Sequence, residues 1–118
     1  MIKCLAIDDD PLFLKLINAY LVETPDIELI GTYTNPIDGV MAVVKSKPDV
    51  LLLDIEMPYM DGFETIATLD KIPKVLVISG HLNNPEIPDL PVDKFLSKRA
   101  LKDVTVLESA IREVMNTK

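Results

Sequence analysis

Short apolar runs alternate with longer amphipathic ones along the chain. Ile2 to Ile7 is a short, bounded apolar run, the pattern of a strand buried on both faces. It ends at Asp8-Asp9-Asp10-Pro11, where Asp10 and Pro11 suit an N-cap and a first helical position. Leu12, Leu16, Ile17 and Ala19-Tyr20 then recur at helical spacing to about Glu23. Ile27 to Tyr33 reads as a second strand. Asn35 and Pro36 open a second helix with Val40, Val43 and Val44 on its inner face, closed by Ser46-Lys47-Pro48. Val50 to Leu53 is the third strand and the most apolar. A short helix from about Phe63 to Leu69 leads to a fourth strand, Val75 to Ile78. The fifth strand is brief, Lys94 to Leu96, and a last helix runs from roughly Thr105 to Met115. The pattern contains no internal repeat, linker or low-complexity tract.

Strand–helix alternation with strands apolar on both faces predicts an α/β fold, a parallel sheet covered by helices on both sides. Right-handed crossovers reduce this to a doubly wound five-stranded sheet, and such sheets bind ligands at the carboxyl ends of their strands. The first strand finishes at Asp8 and Asp9, the third at Asp54, and the fourth at Ser79-Gly80. The fifth is followed by Ser97-Lys98. Three carboxylates, a hydroxyl and an amine are thereby predicted to converge on one edge.

Composition narrows what that edge does. The 118 residues suffice for one domain, and the 48% hydrophobic and 26% charged content is that of an ordinary globular protein. No apolar run approaches the roughly 20 residues that span a bilayer, and MIKCLAID lacks the apolar core of a signal peptide, so the expected location is cytoplasmic. A net charge of -7 opposes direct nucleic-acid binding by this domain, because phosphate backbones call for a basic face. Cys4, the one cysteine, falls in a strand and reads as a small core hydrophobe. The five methionines read as core filler.

Closely packed carboxylates repel one another unless a cation sits among them. Oxygen donors without a His or Cys cluster favour a hard ion, and Mg2+ suits a site with few carboxylates and several waters. Magnesium, a carboxylate, a hydroxyl and a lysine together serve phosphoryl chemistry, in which an aspartate can act as nucleophile. With only four glycines and no cluster of them, a Walker-type or dinucleotide cradle is unsupported.

The acidic pair in AIDDDP, the segment LLLDIEMPYMDG, the hydroxyl residue in VLVISG and the lysine in FLSK occur in this order on successive strands. Over Ile2 to about Met115 the chain thereby resembles a response-regulator receiver domain of bacterial two-component signalling. The opening MIKCLAIDDDPL and the DIEMP segment are most similar to receivers that precede LytTR-type DNA-binding domains. The resemblance implies the flavodoxin-like strand order 2-1-3-4-5 and makes Asp54 the phosphoacceptor. Asp9 would ligate Mg2+ directly, Asp8 mainly through water, and Glu56 through its backbone carbonyl. Ser79 would hydrogen-bond the phosphoryl group, Lys98 would pair with its oxygens, and Phe95 would be the switch aromatic. Glu56 and His81 fall where the family tunes phosphoryl lifetime. The implied event is phosphoryl transfer from a sensor histidine kinase, followed by a change in a surface that a partner reads.

Plainer readings stand beside these. Asp10 and Asp61 read as cap or turn residues, and His81 as a solvated loop residue. The family's lysine is usually followed by proline in a cis peptide, whereas Lys98 precedes Arg99. A cis bond there would cost about 2.5–4 kcal/mol, so either strain is kept or the loop is rebuilt. HLNNPEIPDLPVDK, residues 81–94, carries Pro85, Pro88 and Pro91 where receivers have their fourth helix, which predicts an irregular or shortened segment. Phe95 lacks the hydroxyl of the commoner tyrosine.

Three functions compete. The favoured one is the phosphorylation-dependent receiver, residues 1–118 as a single domain, catalysing only its own phosphorylation and dephosphorylation. A pseudo-receiver would keep the fold as an interaction module without switching. A Mg2+-dependent phosphatase would want a second aspartate two residues beyond the nucleophile, where Glu56 stands. An effector domain or downstream protein is expected outside this chain, and the last helix with its neighbours offers a surface for a homodimer.

Overall fold

The computed structural model describes residues 1–55, 67, 69–80 and 92–116. Within them lie β1 (Ile2–Ile7), α1 (Pro11–Leu21), β2 (Ile27–Tyr33), α2 (Pro36–Ser46), β3 (Val50–Leu53), β4 (Lys74–Ser79) and β5 (Lys94–Ser97). A 3-10 turn, Lys98–Ala100, and α3 (Val104–Met115) follow. The strands form one parallel sheet in the order β2-β1-β3-β4-β5, the flavodoxin-like order expected.

Side chains alternate across a strand, so each central strand feeds both faces of the sheet. Cys4, Ala6, Leu52, Leu76 and Ile78 face α1 and α3, meeting Leu14, Ile17, Leu107 and Ile111. Leu5, Ile7, Leu51, Leu53, Val75 and Val77 face the other way, toward Val43 of α2. Fully burying such a side chain stabilises by about 1.5–3 kcal/mol, which explains why these strands are apolar throughout. Cys4 is completely buried, as its strand position predicts, and burial followed by the charge of Asp49 pushes its thiol up to about 12.

Local signals set the helix starts. Asp10 Oδ1 accepts from the Leu12 N–H at 3.0 Å, with Pro11 at the first helical position. Asn35 Oδ1 accepts from the Ile37 N–H at 2.8 Å and the Asp38 N–H at 3.4 Å. Asp103 caps α3 through the N–H groups of Thr105 and Val106. α2 ends at Lys47, which takes the left-handed conformation at φ 50.

Two helix faces differ from expectation. On α1 the buried residues are Leu14, Ile17 and Leu21, while Leu12 and Leu16 are exposed, and the helix stops at Leu21. On α2, Val43 is buried but Val44 is 61% exposed. Both helices are apolar over more than one face, so spacing alone does not select the one that docks. Gly39 lets α2 approach β1, for a Cβ there would lie 2.5 Å from Ile7 Cδ1.

Among the described residues no helix is long and apolar enough to cross a membrane. Of the short helix expected over 63–69, only Ala67 and Leu69 are described, and Leu69 is buried on the α2 side of the sheet. The stretch 81–91, with the expected loss of a fourth helix, lies outside the described residues.

Candidate functional site

β1 and β3 run side by side with Ile7 opposite Leu53, so the residues that follow, Asp8 and Asp54, emerge together at the carboxyl edge. Their backbones are held in place. The Asp8 N–H donates to the Tyr33 carbonyl and the Asp54 N–H to the Ile7 carbonyl, both at 3.0 Å. Asp8 and Asp54 are buried, whereas Asp9 is exposed. One carboxylate oxygen from each of the three lies within 4.8 Å of the others.

The amine arrives from the far side. β5 ends at Ser97, and the Lys98–Ala100 turn aims Lys98 across the edge. Lys98 Nζ lies 2.8 Å from Asp8 Oδ2 and 3.9 Å from Asp54 Oδ2. No peptide bond among the described residues is cis, so the loop is rebuilt. The Arg99 N–H, a donor that proline lacks, donates to Ser97 Oγ at 3.2 Å and closes the turn.

Asp8 shows the electrostatics most clearly. Its Oδ1 accepts from the Asp10 N–H at 2.8 Å. Its buried Oδ2 makes no hydrogen bond of good geometry and is faced by the Lys98 ammonium as an ion pair. Burial pushes the Asp8 carboxyl up, and this outweighs the lowering by Lys98 and the Asp10 N–H. Burial pulls Lys98 down, but its ion pair with Asp8, with the charges of Asp54 and Asp10 behind, raises it overall. An under-coordinated buried carboxylate oxygen beside two further carboxylates fits a hard divalent cation. The all-oxygen donor set suits Mg2+.

Ser79 ends β4 and is completely buried. It lies two residues beyond Val77, the partner of Phe95 across β4 and β5, so Ser79 and Phe95 occupy the same face of the sheet. Phe95 is half-buried against the core on that side. Glu56 and His81 lie outside the described residues. One neighbour escapes sequence reasoning: Phe13 places its ring centroid 4.3 Å from Lys98 Nζ. Its sequence signal is slight, an aromatic in the first turn of the helix that starts at the acidic pair.

A family model described as the response regulator receiver domain matches residues 4–111. The transcriptional regulatory protein BtsR of Escherichia coli (strain K12) is 46% identical over 70 residues, covering 59% of this chain and 29% of that protein. A protein-glutamate methylesterase/protein-glutamine glutaminase 2 of Methanosarcina acetivorans is 43% identical over 70 residues, covering 59% of this chain and 20% of that protein. The match thus spans less than a third of the length of either relative. The fold superposes on the response regulator domain of Thermotoga maritima CheB with a TM-score of 0.85 at 21% identity, covering 100% of this chain and 98% of that one. It also superposes on a chain of the CheX-CheY-BeF3-Mg+2 complex from Borrelia burgdorferi with a TM-score of 0.84 at 21% identity, covering 98% and 90%.

Proposed function

The chain belongs to the response regulator receiver domain family, and we propose that it accepts a phosphoryl group from a sensor histidine kinase onto Asp54, with Mg2+, and thereby switches a partner-binding surface. The observation that carries this reading is the meeting of Asp8, Asp9 and Asp54 oxygens within 4.8 Å, with Lys98 Nζ against two of the three side chains.

Asp54 is the nucleophile. One of its carboxylate oxygens bonds to phosphorus as the phosphorus–nitrogen bond of the kinase phosphohistidine breaks, and the imidazole leaves with the electron pair and takes up a proton. The side chains of Asp8, Asp9 and Asp54, with the Glu56 carbonyl, would hold Mg2+. That ion supplies positive charge against the phosphoryl oxygens. Lys98 exchanges its contact with the carboxylates for one with those oxygens, as a point charge on a flexible stem. The Ser79 hydroxyl donates to the transferred group, and Phe95 follows it on the same sheet face. Glu56 and His81 tune how long the phosphoryl group survives.

Residues 1–118 act as one receiver domain in the cytoplasm, and the chemistry it catalyses is confined to its own Asp54. The output passes to an effector domain or a downstream protein. The similarity to a transcriptional regulatory protein favours a DNA-binding effector, with the receiver itself too acidic to hold DNA. α3 and its neighbours offer a surface for a homodimer.

Incubation with Mg2+ and acetyl phosphate, followed by intact-protein mass measurement, tests the reading. Wild type gains one phosphoryl group and Asp54→Ala does not. An unmodified wild type, or equal modification of Asp54→Ala, overturns it.

A further inference from the structure

We infer that Phe13 is a positioning residue for Lys98, holding the ammonium over the acidic cluster by a cation–π contact; the inference rests on Lys98 serving phosphoryl transfer to Asp54. Among the described residues the Lys98 ammonium faces Asp8 Oδ2 at 2.8 Å, Asp54 Oδ2 at 3.9 Å and the Phe13 ring centroid at 4.3 Å. Two of these are carboxylates that phosphorylation and metal binding would alter. The ring is a neighbour that neither event changes.

Phe13 is itself fixed. It stands in the first turn of α1, behind the Asp10 cap and Pro11, and is half-buried against the core on the α1 side. Lysine carries its charge on a flexible four-carbon stem, and a ring face within about 6 Å attracts that charge through its quadrupole. The Lys98 side chain is 23% exposed, so water screens the contact only in part. The Lys98–Ala100 turn has no proline, leaving the backbone to aim the stem and the ring to confine its tip.

The test follows modification of Asp54 by acetyl phosphate with Mg2+ in wild type, Phe13→Leu, Phe13→Tyr, Lys98→Met and the double variant Phe13→Leu/Lys98→Met. Phe13→Leu is expected to slow modification about 3–10-fold, and Phe13→Tyr, which keeps a ring, less than about twofold. In the Lys98→Met background the same Phe13→Leu change should have no further effect, because its partner is gone. A second readout is metal-free urea unfolding of the same four-member cycle, in which the two changes should again be non-additive. Trifluorophenylalanine at position 13 keeps the packing and drains the ring face, and should slow modification as Phe13→Leu does, even if the leucine variant folds poorly.

Equal slowing by Phe13→Leu with and without Lys98, or full speed with the fluorinated ring, overturns the inference and leaves Phe13 as packing. A wild type that is not modified at Asp54 overturns the receiver reading instead.

Discussion

The Lys98 ammonium stands 2.8 Å from Asp8 Oδ2, and Asp54 Oδ2 is more than an ångström further away. The lysine therefore belongs first to the acidic pair at the end of β1 and only second to Asp54. Without a divalent ion, Lys98 is the charge that offsets the burial of Asp8, whose carboxyl is pushed up by desolvation. A divalent cation held by Asp8, Asp9 and Asp54 would supply that charge instead, leaving the Lys98 ammonium to face Asp54.

Lys98→Met should accordingly destabilise the metal-free protein. Breaking a buried ion pair by removing one partner costs about 3–5 kcal/mol, but the Lys98 side chain is 23% exposed. About 1–2 kcal/mol is the expected loss, read as a lower urea midpoint at unchanged slope. An unchanged midpoint would mean that Asp8 does not depend on this cation.

Mg2+ should stabilise the fold, since the folded chain gathers three carboxylates that the unfolded chain scatters. At about 100-fold excess over the dissociation constant the gain is about 2.7 kcal/mol. Asp9→Ala should abolish most of it while leaving the metal-free protein nearly as stable, because Asp9 is exposed. Thermal unfolding with and without Mg2+ reads both. Equal Mg2+ stabilisation of wild type and Asp9→Ala would place the ion elsewhere.

Gly39→Ala should destabilise despite alanine's higher helix propensity. The new methyl would lie 2.5 Å from Ile7 Cδ1 and 2.6 Å from Cγ1, and Ile7 is completely buried in the sheet. Overpacking of this kind costs about 1–3 kcal/mol, against a propensity gain of about 1 kcal/mol. The net loss should appear in the denaturation midpoint, and a stabilised variant would contradict the close approach of α2 and β1.

The limits of β1, β2 and β3 are legible in the sequence because each apolar run is bounded by turn or cap residues, such as Asp8 to Pro11 after Ile7. β4 and β5 extend slightly beyond their apolar cores, since Lys74, Ser79 and Ser97 pair through their backbones whatever their side chains. The convergence of Asp8, Asp9, Asp54 and Lys98 is legible for the same reason, because strand ends of a parallel sheet share one edge. The inner face of α1 is not. Leu12 and Leu16 follow helical spacing as well as Leu14, Ile17 and Leu21 do, and only docking on the sheet separates them. Phe13 is hidden because its partner comes from the opposite end of the chain, on a turn where Arg99 stands in place of proline.

The acid limb of stability should carry a contribution from Asp103. Its carboxylate accepts from the Thr105 hydroxyl and N–H and from the Val106 N–H, which hold the carboxyl below its ordinary value. A depressed carboxyl stabilises above the unfolded pKa of about 3.9 and loses that stabilisation as pH falls through the folded value. Asp103→Ala should therefore be less stable than wild type near neutral pH. The difference should narrow as pH falls below the unfolded value and the wild-type carboxyl takes up its proton. A difference that stays constant across that range would assign the cap to geometry alone.

Arg99 separates a backbone role from a side-chain one. Its N–H donates to Ser97 Oγ at 3.2 Å, and the side chain is exposed, so Arg99→Ala should leave both stability and Asp54 modification near wild type. Arg99→Pro deletes the donor and should cost about 0.5–1.5 kcal/mol, the net worth of one such hydrogen bond. Ser97→Ala removes the acceptor and should cost a similar amount. In the Ser97→Ala background Arg99→Pro should then add little, because the bond is already gone. Unfolding midpoints of the four proteins measure this directly. Full additivity would show that proline disturbs the turn by its fixed φ rather than by its missing N–H, and that the path from β5 to Lys98 is set by the backbone conformation of Lys98–Ala100 rather than by Ser97.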